Sequence, residues 1–183
     1  WLDVLSANGL VGAVGLQRSS GAFPYAQRLT LFRNLGNGRF ESVAERAGAV
    51  FQNEAVGRGA AFGDIDNDGD IDVVVANAAG PAQLLVNRVE PKHWLGLRLV
   101  GDRMPRDMVG ARVSVATAGG RTLWRRARAD GSYASSNDPR VLVGLGDSSS
   151  GVSVTVRWPS GDTEEWSGLA VDRWTTLREG TGR

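Results

Sequence analysis

Apolar and polar positions alternate with period two along several short stretches of this chain. Val152, Val154, Val156 and Trp158 alternate with Ser153, Thr155 and Arg157, the mark of a strand buried on one face. Val113 and Val115 repeat the pattern, and Pro159-Ser160-Gly161-Asp162 provides a turn into a hairpin partner. Strand signals of this and other kinds, short β-forming runs between turn residues, predict strands near 93–100, 111–117, 121–128, 140–145, 152–158, 163–166 and 174–178. Earlier in the chain, 29–34, 71–75 and 83–88 read as apolar strands, with Asn37-Gly38 as a hairpin turn. A short helical turn is expected within 41–48, and no long stretch carries the 3.6-residue period of an amphipathic helix. The chain is therefore expected to be all-β.

Residues 1–88 contain an internal repeat. Trp1-Leu2-Asp3-Val4-Leu5-Ser6-Ala7-Asn8-Gly9 can be laid over Asp70-Ile71-Asp72-Val73-Val74-Val75-Ala76-Asn77-Ala78, which matches Asp3 to Asp72 and Ala7-Asn8 to Ala76-Asn77. An apolar strand ending in an Asn-containing turn follows each copy. The first copy carries extra sequence between Gly9 and Gln27, including Phe23-Pro24-Tyr25, which reads as a long surface loop.

Only the second copy has the stretch Asp64-Ile65-Asp66-Asn67-Asp68-Gly69-Asp70-Ile71-Asp72. Like charges this close repel by on the order of 1 kcal/mol per pair even in water. Asp64, Asp66 and Asp68 stand at loop positions 1, 3 and 5, Gly69 permits the bend, Asp70 would offer its backbone carbonyl, and Asp72 closes the shell at position 9. Such an all-oxygen set suits Ca²⁺ better than Mg²⁺, which demands a tight octahedron. The helix–loop–helix calcium motif does not account for it, because Val75 stands where a bidentate Glu is required. Gly57-Arg58-Gly59 before the loop and the β-branched run after it are not helical flanks either. The expectation is a calcium loop between strands.

Composition narrows the picture further. The chain has 183 residues, a formal charge of +1 and no cysteine, so disulfides and thiolate chemistry are excluded. No apolar run approaches the roughly 18–20 residues of a membrane span, and near-zero net charge argues for no nucleic-acid or membrane partner. A boundary is expected at Glu90-Pro91, separating 1–89, with seven basic and nine acidic groups, from 90–183, with fourteen and eleven. The second segment reads as a compact antiparallel sandwich or barrel.

Two resemblances follow from these residues. Phe62-Gly63-Asp64 through Asp72-Val73 resembles an FG-GAP, or VCBS-type, repeat, the blade unit of calcium-loop β-propellers. That implies about one four-stranded blade per repeat, so that 1–89 would be the C-terminal portion of a propeller, one full blade plus part of another. The chain is accordingly expected to be part of a longer protein with upstream blades. Lys92-His93-Trp94-Leu95, Gly110-Ala111-Arg112-Val113, Gly131-Ser132-Tyr133, Val143-Gly144-Leu145-Gly146 and Val156-Arg157-Trp158-Pro159-Ser160-Gly161 resemble, in order, the signatures of the ASPIC/UnbV domain. The whole layout is similar to CRTAC-like proteins, the cartilage acidic protein family and its bacterial relatives. This implies a non-enzymatic, calcium-stabilised scaffold for protein or carbohydrate partners, in the extracellular or periplasmic space where calcium is plentiful. The UnbV relationship also implies an alternative, an accessory or catalytic role in enediyne-type natural-product biosynthesis, with the pocket in blades outside this chain.

Residue chemistry offers little for catalysis. His93 is the sole histidine, beside Trp94-Leu95 at a strand start, and reads as structural. Carboxylates pair only within the acidic loop, zinc ligands are missing, and no phosphate-binding glycine loop is present. No catalytic residue is therefore assigned. The remaining candidate is a basic–aromatic strip in which Trp124, Arg126 and Arg128 share one strand face, with Arg121 and Arg125 on the other. It could bind an acidic polysaccharide, a phosphate-bearing partner or single-stranded nucleic acid, or it could be a solvated edge strand protected by charge. Trp124, Tyr133, Trp166 and Trp174 are each candidates for recognition or for core packing.

Overall fold

A computed structural model describes residues 1–11, 25–78, 80–90 and 92–183. Phe23-Pro24 of the expected surface loop and Pro91 of the expected joint lie outside the described residues. The described residues form fifteen strands and two 3-10 turns, with no α-helix. They cluster into two units that exchange chain segments. One comprises Trp1–Ala61, Val73–Leu85 and Ser132–Ser135; the other comprises Phe62–Asp72, Val86–Gly131 and Ser136–Arg183. The acidic loop thus groups with the C-terminal strands, although the sequence boundary at 89/90 places it with the repeat.

In the first unit, β1 (Val4–Ser6), β3 (Thr30–Asn34) and β4 (Phe40–Ser42) form an antiparallel sheet, and β2 (Gln27–Arg28) pairs with β5 (Glu54–Ala55). The hairpin expected at Asn37-Gly38 joins β3 to β4, closed by Leu35 N–H to Arg39 O at 3.0 Å. The helical turn expected within 41–48 is a 3-10 turn at Ala44–Arg46, and a second follows at Ala49–Gln52. A further sheet has the order β6 (Gly57–Gly63), β7 (Asp72–Asn77), β8 (Gln83–Leu85). Strand β6 has no apolar signature in the sequence. Its glycines serve close backbone approach: a Cβ on Gly59 would stand 2.8 Å from Ala134 O and 2.7 Å from Ser135 Oγ.

Hydrogen bonds reproduce the internal repeat position by position. Asp3 Oδ1 accepts from the Asn34 backbone N–H at 2.8 Å, and Asp72 Oδ1 accepts from the Asn87 N–H at 2.8 Å. Asn8 Nδ2 donates to Arg28 O, and Asn77 Nδ2 to Pro81 O, each at 2.9 Å. Asn34 and Asn87 then each accept from the backbone two residues on. The asparagine and its acceptor lie 20 residues apart in the first copy and 4 in the second, so the extra sequence falls between two positions that keep the same hydrogen bond. Each copy contributes three strands to its sheet, one fewer than the four-stranded blade that the resemblance implies. By the matched pairings of Val4 with Phe32 and Val73 with Leu85, β1 corresponds to β7 and β3 to β8.

The second unit is a sandwich. Strands β9 (His93–Val100), β10 (Arg112–Ala116), β11 (Thr122–Arg126), β12 (Val141–Gly146), β13 (Ser153–Arg157), β14 (Thr163–Ser167) and β15 (Trp174–Arg178) fall where the sequence predicts them. They form two sheets, β11-β10-β13-β14 and β12-β9-β15, neither closed into a barrel. Leu95, Leu97, Val113, Val115, Val143, Val154 and Val156 are fully buried in one core with Trp158, which meets Trp166 edge-on at 6.2 Å. One expectation needs correction, since β15 runs parallel to β9. It enters after β14 of the opposite sheet, and a strand arriving by a crossover, not a hairpin, is not constrained to antiparallel pairing.

This packing predicts a sharp contrast between two large-to-small substitutions. Leu97→Ala opens a cavity in the shared core and should cost about 2–5 kcal/mol in urea denaturation. Trp124→Ala, at a side chain 67 % exposed, should stay within about 0.5 kcal/mol of the parent.

Candidate metal centre

The loop Asp64–Asp72 joins β6 to β7, between strands as its flanks predict. Two left-handed residues, Asn67 (φ 63°) and Gly69 (φ 96°), bend it. Glycine at 69 answers a second demand too, because a Cβ there would stand 2.2 Å from Trp94 Nε1. The loop therefore lies directly on an indole of strand β9.

Its terminal aspartates are both 98 % buried, and backbone amides satisfy them. Asp64 Oδ1 accepts from Asp68 N–H at 3.2 Å, and Oδ2 accepts from Gly69 N–H at 3.0 Å and from Trp174 Nε1–H at 3.2 Å. Asp72 Oδ2 accepts from Ile65 N–H at 3.0 Å, so the loop closes on itself. Asp66 is exposed, yet one oxygen each from Asp64, Asp66 and Asp72 lie within 4.8 Å of one another. Asp68 and Asp70 stand outside that trio. Asp68 Oδ1 accepts from Asp70 N–H at 2.9 Å, while Asp70 Oδ2 is buried with no hydrogen-bond partner. Burial first, and then the neighbouring Asp68, Asp64, Asp72 and Asp66, push the Asp70 carboxyl above its usual range.

Among the described residues no cation pairs with any of the five carboxylates. The nearest guanidinium, that of Arg140, is committed elsewhere. It donates to Asp138 Oδ2 at 2.6 Å, to Asn67 Oδ1 at 2.7 Å and to the Asp64 backbone carbonyl at 2.7 Å. Its plane lies 4.0 Å over the Trp174 ring, a cation–π contact, and Trp174 meets Trp94 edge-on at 5.8 Å. Asp138 is fixed in turn, its N–H donating to Phe62 O at 2.9 Å. Three converging carboxylates, an orphaned carboxylate oxygen and an all-oxygen donor set fit a hard divalent cation.

Sequence reasoning did not find the supports of this loop. Arg140 and Trp174 lie 76 and 110 positions from Asp64, and no local spacing announces such contacts. Of the two readings open for these tryptophans, packing holds for Trp174, whose indole N–H donates to Asp64 of the loop, and for Trp166, which packs against the sandwich core.

The other candidate residues are elsewhere in the second unit. Trp124 and Arg126 are exposed on β11, and Arg128 is exposed just beyond its end, with buried Ala127 between them. Arg126 Nη2 binds both oxygens of Asp130, at 3.0 and 2.9 Å. Arg125 points to the opposite face, where burial pulls its guanidinium below the ordinary value. His93 Nδ1 lies 2.7 Å from Asp172 Oδ2, and Asp172 Oδ1 accepts from Trp94 N–H at 3.0 Å. Those two hydrogen bonds, the histidine's foremost, hold the Asp172 carboxyl below the usual range. His93 thus helps to fix the start of β9.

Comparison with known families gives two matches. Residues 1–75 match the family model described as FG-GAP-like repeat, and residues 101–183 match the one described as ASPIC and UnbV. No curated protein matches the chain.

The clamp on the loop can be tested directly. Arg140→Ala removes two charged hydrogen bonds to the loop and strands Asp138, so it should cost on the order of 2–3 kcal/mol in chemical denaturation. Arg140→Lys should recover only part of this, since an ammonium cannot span the three acceptors with a planar fork.

Proposed function

The chain carries an FG-GAP-like repeat followed by an ASPIC and UnbV domain, and from that premise we propose that it is a non-enzymatic, calcium-binding β scaffold. The observation that carries the proposal is the convergence of Asp64, Asp66 and Asp72 within 4.8 Å, beside the partnerless Asp70 Oδ2. Asp64, Asp66 and Asp72 would hold the ion, with Asp68 and the Asp70 carbonyl completing an oxygen shell. The ion supplies the positive charge that these carboxylates otherwise lack.

Calcium then acts on stability. Asp64 is bonded both within the loop and to Trp174 of β15, so an ion on Asp64 favours the arrangement in which loop and sandwich strand are joined. A ligand that binds only the folded state stabilises it by about 2.7 kcal/mol at one hundred times its Kd. This role suits a protein working where calcium is abundant, outside the cytoplasm, as one section of a longer propeller-bearing chain. Exposed sheet faces would then be available for protein or carbohydrate partners, and no helix among the described residues is long and apolar enough to cross a membrane.

Saturating calcium should raise the melting temperature by roughly 5–10 °C over an EDTA-treated sample. Asp66→Ala combined with Asp68→Ala should abolish that difference while leaving the far-UV circular dichroism unchanged. A parent protein that melts at the same temperature in calcium and in EDTA would refute the proposal.

A further inference from the structure

The outer face of the sheet β11-β10-β13-β14 carries a row of arginines that the alternation along any one strand does not reveal. Strand register places Arg126 directly opposite Arg112, and Arg112 directly opposite Arg157. All three are exposed. Like charges in directly opposed cross-strand positions destabilise a sheet, and neighbouring strands are only about 4.8 Å apart. Arg126 is offset by Asp130. Neither Arg112 nor Arg157 has a hydrogen-bond or ion-pair partner for its side chain among the described residues.

Protection of a sheet edge does not account for this row. Charge on the edge strand β11 discourages edge-to-edge pairing, which explains Arg126. Strands β10 and β13 are interior, paired on both sides, so Arg112 and Arg157 protect nothing. The adjoining row reads Trp124, Ser114, Thr155. It places an indole 67 % exposed beside two hydroxyl-bearing side chains on the outer face of the sheet. Glu165, opposite Thr155 on β14, closes the patch on its acidic side.

We propose that this face binds a polyanionic polysaccharide, its sulfate or carboxylate groups over Arg126, Arg112 and Arg157 and a sugar ring against Trp124. The inference rests on the scaffold reading above and names the partner class for it; it makes no use of calcium. Charge complementarity supplies the attraction, and the single aromatic beside hydroxyls selects a glycan. Single-stranded nucleic acid would call for successive stacking platforms, and this face offers one. The patch replaces the strip Trp124, Arg126 and Arg128 as the unit of recognition, since Arg112 and Arg157 come from other strands.

The test uses the full chain, titrated calorimetrically with dextran sulfate, polygalacturonate, uncharged dextran and poly(dT), in calcium and again in EDTA. Arg112→Ala/Arg157→Ala should weaken binding of at least one acidic polysaccharide tenfold or more, with a melting temperature no lower than the parent's, since the substitution relieves the cross-strand repulsion. Arg103→Ala/Arg106→Ala removes the same charge from an exposed loop and should change affinity less than twofold. Trp124→Ala should weaken the polysaccharide about tenfold. Binding to neither acidic polysaccharide, equal losses in the two arginine pairs, or tighter binding of poly(dT) would each overturn the proposal. Because calcium-dependent melting is read on the same samples, failure here is distinct from failure of the calcium site.

Discussion

Five carboxylates within nine residues repel one another whenever they are ionised, and among the described residues none of the five in Asp64–Asp72 is paired with a cation. Asp64 and Asp72 are buried and tied by backbone amides, Asp66 and Asp68 are exposed, Asp70 is half-buried with one oxygen lacking a partner, and the nearest guanidinium spends its hydrogen bonds on Asp138, Asn67 and a carbonyl. Repulsion at such separations amounts to about 1 kcal/mol per pair in water and several times that near a protein surface. A marginally stable fold does not retain such a cluster for its own sake. Under the proposed calcium-binding reading, the loop would receive positive charge in a polypeptide geometry set in advance.

What sets that geometry lies in the C-terminal half of the chain. Trp94 excludes any side chain at position 69, Trp174 donates to Asp64, and Arg140 is sandwiched between the loop and the Trp174 ring. The outer face of β12-β9-β15 is covered by this arrangement, which explains why β9 is buried on nearly all of its length. The acidic loop, although part of the repeat by sequence, joins the sandwich by packing. A cation bound at the loop would thereby act on the stability of strands far away in the chain.

Most of the fold was legible because its signals are local. Period-two alternation marked β10 and β13, runs of strand-forming residues between turn signals located the other five strands of the sandwich, and the acid spacing located the loop between two strands. The repeat in 1–88 was visible in a few matched residues, and the Asp3/Asn34 and Asp72/Asn87 hydrogen bonds give it physical meaning. Three features were not legible, each for lack of a local signal. Strand β6 is glycine-rich, and close backbone packing, not propensity, makes it a strand. The parallel pairing of β15 depends on which sheet the preceding strand occupies. Arg140, Trp174 and the row Arg126–Arg112–Arg157 are brought together only by topology and register.

Lanthanide luminescence tests the central claim most directly, since it asks at once whether the loop holds a hard cation and whether a sandwich tryptophan lies beside it. Terbium added to the calcium-free protein and excited through tryptophan should give sensitised green emission that calcium displaces. Trp174→Phe should lower that emission severalfold, and Asp66→Ala/Asp68→Ala should abolish it. No sensitised emission from the parent protein, or emission that calcium does not displace, would contradict the account.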